Sequence, residues 1–127
     1  KGLGPPVAPR ATKFQHQEPI EKKAFSCCGS TSFMNQIPSS TETFVLCGIE
    51  THICIAQTAL DLLQLGYHVC LAADAAGSRR EQDHRIALRR LEGSGAVIST
   101  TEAILFEWCN TAENPAFQKM RELISKE

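Results

Sequence analysis

No apolar stretch in these 127 residues approaches the ~20 that a membrane-spanning helix needs. Neither sign of charge dominates: 13 Lys and Arg stand against 14 Asp and Glu, a net charge of −1. That balance gives no footprint for nucleic acid or an anionic membrane. Aromatic residues are scarce, with one Trp and one Tyr, and they are not interleaved with basic residues as an RNA-binding surface requires. No C-x-x-C pair occurs, and Cys27-Cys28 has no His or Cys cluster at ligand spacing, which argues against a zinc site. Lys1 to Lys13 lacks the apolar segment of a signal peptide. Internal repeats and low-complexity segments are absent. Aspartate is missing before Asp61, and the chain opens on Lys1-Gly2-Leu3-Gly4 without a methionine.

What remains is ordinary for a globular domain: 43% hydrophobic and 21% charged residues, at a length that buries one core. The six cysteines fall largely inside expected strands and helices. A disulfide scaffold is usually shorter and richer in loops, so reduced thiols and a cytoplasmic setting are expected.

Residues 1–127 read as one domain, with a loop and lysine-bearing segment over 1–42 and a βαβα core over 43–127. Lys1 to Gln17 holds three of the six prolines and reads as loop. Pro19 to Ser26 reads as a short extended segment, and Thr31 to Ile37 as a helical turn. Strands are expected over Thr43–Gly48, Tyr67–Ala72 and Ala96–Ser99. Helices are expected over His52–Leu65, Arg80–Gly93 and Thr100–Cys109, and from Asn114-Pro115 to the end. The third of these would turn Ile104, Leu105 and Trp108 to one face, the second Ile86, Ala87, Leu88 and Leu91. Such alternation predicts an α/β fold, a parallel β-sheet with helices on both faces.

The most informative stretch is Val45 to Gly66. A β-branched run ends at Gly48, and apolar residues then recur at helical spacing: Ile53, Ala56, Leu60 and Leu63. Thr51 is placed as N-cap and Gly66 as the left-handed stop. Cys54 therefore falls in a first helical turn, beyond the carboxyl end of a strand, where open α/β sheets bind ligands. A helix N-terminus favours a thiolate, and its amides can receive an oxyanion. On position alone, a small buried hydrophobe and a nucleophile both stay open.

Gly48-Ile49-Glu50-Thr51-His52-Ile53-Cys54, followed by Thr58-Ala59-Leu60-Asp61, resembles the nucleophile turn of the isochorismatase-like cysteine hydrolases. The resemblance continues through Ala73-Asp74-Ala75-Ala76-Gly77-Ser78-Arg79 and covers nearly the whole chain. It implies a Rossmann-like three-layer αβα fold whose N-terminal strands are missing here, leaving an apolar sheet edge uncovered. It also implies a Cys-Lys-Asp triad, with Cys54 as nucleophile and Lys22 as the lysine three residues before the aromatic-Ser pair Phe25-Ser26. The oxyanion would lie on backbone N–H groups of Glu50 and Cys54, after a non-proline cis peptide at Ile49-Glu50. The triad aspartate has no counterpart before Asp61.

Phe25 and His52 are candidates for a substrate pocket, with Trp108 as a further aromatic. His16 and His84 read as exposed polar residues, and Asp74 as a structural cap paired with Arg79. The Asp-x-His metal motif of nicotinamidases is absent, so neither metal nor cofactor is expected, and nicotinamidase activity is not.

The expected function is a metal-independent cysteine hydrolase acting on a small-molecule amide or related bond through a thioester, as a homo-oligomer without nucleic-acid or membrane partners. Two alternatives stay open. One is a truncated or inactive member serving as a binding or assembly subunit. The other is a flavodoxin-like thiol protein with a redox role.

Overall fold

The protein is described here over residues 19–125 of a computed structural model. The expected Lys1–Gln17 loop and His16 lie outside the described residues. Strand β1, Thr43–Ile49, forms where Phe44, Val45 and Leu46 suit a pleated, half-buried surface. It pairs in parallel with β2, His68–Gly77, which pairs in parallel with β3, Val97–Ser99, giving the order β1-β2-β3. Among the described residues β1 is an edge strand, and Ile49 at its end is 65% exposed.

The helices are α1 (Thr31–Asn35), α2 (Ala56–Gln64), α3 (Glu81–Gly93), α4 (Thr101–Cys109) and α5 (Phe117–Ile124). Val69 and Leu71 of β2 pack with Ala56, Ala59 and Leu62 of α2 and with Leu91 and Ala96. Two parallel crossovers of one hand put α2 and α3 on that face. The intervening Cys70 points the other way, close enough to Glu107 of α4 to feel its charge, so α4 covers the opposite face. The sheet is thus covered on both sides, as the alternation predicts.

Both sheet-covering helices of the first face stop by the same device. Gly66 N–H donates to Leu63 O and Tyr67 N–H to Leu62 O after α2; Gly95 N–H donates to Glu92 O and Ala96 N–H to Leu91 O after α3. Each glycine has a positive φ, +90° at Gly66 and +101° at Gly95. These are Schellman ends, and the residue after each glycine returns to the core.

Several boundaries differ from the sequence-based expectation, each for a local reason. Strand β2 outruns Ala72 because Leu46 faces Leu71 whereas Gly48 faces Ala76, so β2 detours by three residues. The detour carries Asp74, whose Oδ1 accepts from Thr101 N (2.7 Å) and Oγ1 (3.0 Å). Asp74 is structural, but it caps α4 rather than pairing with Arg79. Pro19 to Ser26 is bent rather than extended, because Lys22 folds back onto carbonyls of its own loop. Helix α5 begins after Asn114-Pro115, since Asn114 Oδ1 first accepts from Ala116 N (2.9 Å) and forms a turn. Ile86 is 47% exposed and Trp108 66%, with Ala87, Leu91, Ile104 and Cys109 taking the inward positions.

Candidate active site

The carboxyl end of β1 carries the site. Gly48 takes φ +111°, a value that favours glycine, and the Ile49–Glu50 peptide that follows is cis. Residues Thr51–Ile55 then form a π-helical turn, not the first turn of an α-helix. Glu50 O accepts from Ile53 N (3.0 Å) and Ile55 N (3.3 Å), the residues on either side of Cys54. The Cys54 N–H is thereby left out of that carbonyl's bonds. Wide turns of this kind recur at functional sites, and sequence periodicity does not distinguish them from ordinary helix.

Thr51 does not serve as N-cap. It is fully buried, and its hydroxyl is hydrogen-bonded to His84 Nδ1 of α3 at 2.9 Å. His84 is therefore half-buried at the site and not the surface residue expected. Its own helix gave no signal for this, because the partner is 33 residues away.

His52 joins a polar cluster. Its Nδ1 is hydrogen-bonded to Ser78 Oγ at 2.9 Å and lies 3.5 Å from Glu50 Oε2, while Nε2 lies 3.9 Å from Asp83 Oδ2. Arg79 Nε lies 3.6 Å from the same Glu50 oxygen, which is buried without a hydrogen bond. Glu50 thus sits between two basic groups, and Ser78, Arg79 and Asp83 belong to the site by contacts that the sequence did not reveal. A cleft of about 230 Å³ beside His52 is lined by Ala56, Asp83, Ile86, Ala87 and Arg90. Phe25 is 60% exposed and does not line it, so Phe25 and His52 are not brought to one pocket.

Thr58 connects the two halves of the site. Its hydroxyl donates to Cys54 O (2.7 Å) and accepts from Cys27 N (3.0 Å). Buried Ser26 accepts from Cys28 N (3.1 Å) and starts a 3-10 turn over Cys27–Gly29. The lysine-bearing segment is therefore tied to the carbonyl of Cys54 through one hydroxyl. Lys22 Nζ donates to Ala24 O (2.9 Å) and Phe25 O (2.6 Å). Its hydrogen bonds are thus to its own loop and not to Cys54.

All six cysteines are unpaired. Burial pushes the Cys28 and Cys70 thiols above their ordinary value, with nearby Asp61 adding at Cys28 and Glu107 at Cys70. No described helix is long and apolar enough to cross a membrane.

A family model described as the isochorismatase domain matches residues 3–103. Isochorismatase domain-containing protein 2 of Bos taurus is 36% identical over 126 residues, covering 99% of this chain and 61% of its own length. The structure of MAR1 ribonuclease from Caenorhabditis elegans matches with a TM-score of 0.76 at 32% identity, over 81% of this chain and 53% of that one. The YcaC gene product of Escherichia coli, described as an octameric hydrolase of unknown specificity, matches at a TM-score of 0.77. That match covers 97% of this chain and 66% of the other at 21% identity, and bears on the fold alone. The chain spans about 60% of the length of the curated relatives it matches. With its parallel sheet, the match over residues 3–103 and 36% identity to a family member over 126 residues, the chain belongs to the isochorismatase family.

Proposed function

We propose that this chain carries the nucleophile of a metal-independent cysteine hydrolase acting on a small-molecule amide or related bond. The observation that supports it most is the π-helical turn, which stands Cys54 beyond the carboxyl end of β1 and keeps its N–H off the Glu50 carbonyl. In this reading Cys54 Sγ attacks the carbonyl carbon as a thiolate, and the carbonyl π electrons move to oxygen. The N–H groups of Glu50 and Cys54 receive that oxyanion. Its collapse expels the leaving group, which takes up the proton that the thiol gave up, and leaves a thioester, which water hydrolyses. Lys22, as the family resemblance implies, favours the thiolate once its side chain swings from the Ala24 and Phe25 carbonyls. The family triad's Asp, which would carry that proton from thiol to leaving group, has no match before Asp61 in these residues.

The reading extends to a homo-oligomer, supported by the exposed Phe106 and Trp108 of α4 and Leu123 of α5; the unpaired thiols suit the cytoplasm. A sedimentation mass equal to one 13.9 kDa chain would overturn that extension.

The test has two arms: residue-resolved alkylation by iodoacetamide, and, on separate unalkylated protein, incubation with amide and ester panels with intact-mass detection of an acyl adduct. Cys54 is expected to react faster than exposed Cys47, and Cys54→Ala to abolish the adduct. A Cys54 no faster than Cys47 or Cys70 sinks the proposal. It would instead favour a family member that binds or assembles without catalysis.

A further inference from the structure

We infer that His84 is a positioning residue for Cys54, holding the nucleophile's turn through the buried hydroxyl of Thr51; the inference rests on the reading of Cys54 as nucleophile. Thr51 is among the few large side chains with no exposed surface, and the others are Leu62, Leu71 and Leu91. A hydroxyl set among such residues is costly unless it is hydrogen-bonded. Its bond is to His84 Nδ1 at 2.9 Å, across 33 residues of chain. Thr51 also opens the π-helical turn, and its carbonyl accepts from Ala56 N, the first residue of α2. One residue therefore joins three things: the turn, the start of α2 and the body of α3.

The second link from α3 to this turn is weaker, His52 Nε2 to Asp83 at 3.9 Å, beyond hydrogen-bonding distance. Any slide of the turn along α3 would leave the Thr51 hydroxyl unpaired in the core. The turn's register against α3 is thus set at Thr51–His84, three residues before Cys54. Because the Cys54 N–H does not donate to the Glu50 carbonyl, the place of Cys54 depends on the bond from Thr58 to its own carbonyl and on the turn as a whole.

The experiment compares His84→Ala, Thr51→Val, their combination, His84→Asn and His84→Gln in the full chain. Two readouts are taken together: hydrogen exchange of the peptide spanning 48–56, and Cys54 alkylation relative to Cys47 in the same molecule. The Asn amide can reach the position of Nδ1, whereas the Gln amide lies one methylene further out. His84→Ala and Thr51→Val are each expected to raise exchange in that peptide and change relative Cys54 alkylation by about fivefold, the scale of one lost hydrogen bond. The double variant should do no more than either single one, and His84→Asn should return both readouts to within about twofold of the parent. Additive single effects, equal changes at Cys47 and Cys70, or an unaffected peptide in His84→Ala would overturn the inference. If His84→Ala does not fold, the contrast of Asn with Gln decides, equal behaviour of the two being the overturning result. A Cys54 that is unreactive in the parent defeats the hydrolase proposal, while exchange of the 48–56 peptide still decides whether His84 holds the turn.

Discussion

Two segments approach Cys54, and they are held in opposite ways. The turn from Ile49 to Ile55 is fixed by residues far along the chain: Thr51 by His84, His52 by Ser78, Glu50 by Arg79. The segment from Pro19 to Ser26 is fixed mostly by itself, with Lys22 on the Ala24 and Phe25 carbonyls and Ser26 on Cys28. Its described hydrogen-bonded tie to the core is one relay, Cys27 N to Thr58 to Cys54 O, beside the packing of Cys28. Long-range bonds form only when the sheet and α3 are already in place, so the turn bearing Cys54 inherits the rigidity of the fold. Local bonds cost little ordering and give way easily, so the lysine is free to change partners. On the function proposed above, Cys54 would use the first kind of support and Lys22 the second.

The largest way to break this contrast is to remove what both segments stand on. Leu71 is fully buried in the centre of β2, between β1 and β3 and beneath the α2 face. Leu71→Ala is expected to cost about 3 kcal/mol, the transfer loss plus an unfilled cavity. Urea denaturation should show it, with exchange rising in both segments alike. A cost under about 1 kcal/mol would mean that the site is supported elsewhere.

A smaller change should separate the two segments. Thr58→Val keeps the shape but removes the part-buried hydroxyl that joins the Cys27 N–H to the Cys54 carbonyl, at about 2 kcal/mol. Exchange should rise across 19–29 while the Thr51–His84 link keeps the turn protected. Equal loosening of both would show that the turn depends on the relay as much as the lysine segment does.

The contrast also explains what could be read in the sequence. The βαβα order, the helix stop at Gly66 and the place of Cys54 beyond a strand are local patterns of period and turn chemistry. They appear in the structure within a few residues. The π-helical turn, the partnership of Thr51 with His84 and the cluster of Ser78, Arg79 and Asp83 are products of tertiary packing. Nothing within ten residues of His84 marks it as anything but the polar side of an amphipathic helix. Asp74 shows the same limit: its structural role was legible, but its partner lay across the β2 detour at Thr101. Resemblance supplied Thr58-Ala59 as a motif, and the reason for the threonine emerges only from its two bonds.

Asp74→Asn gives a control of modest size. It weakens the charged cap on α4 and should cost about 1 kcal/mol in urea midpoint analysis. Helix α4 lies across the sheet from α2 and α3, so exchange in 19–29 and in 48–56 should not change. A response of either segment would show that the site is coupled through the sheet.

The smallest expected effect is on the alkaline side of stability, and it bears on the weaker segment. Cys28 packs against the core at the foot of the lysine-bearing segment, and Cys70 lies under α4. Burial holds both thiols above the ordinary value of 9.0. In the unfolded chain these thiols ionise near that value, while the folded protein keeps its protons to higher pH. Between the two values the unfolded state binds fewer protons, so stability falls as pH rises through 9 toward the raised folded values; below 9 the two thiols contribute no pH dependence. Urea midpoints from pH 8 to pH 10 should fall gently, and Cys28→Ala with Cys70→Ala should flatten the slope. The first segment to lose exchange protection should be 19–29, because Cys28 anchors it and the long-range bonds of the turn bearing Cys54 do not pass through either thiol. Loss at 48–56 before 19–29 would invert the comparison, making the locally held segment the firmer of the two.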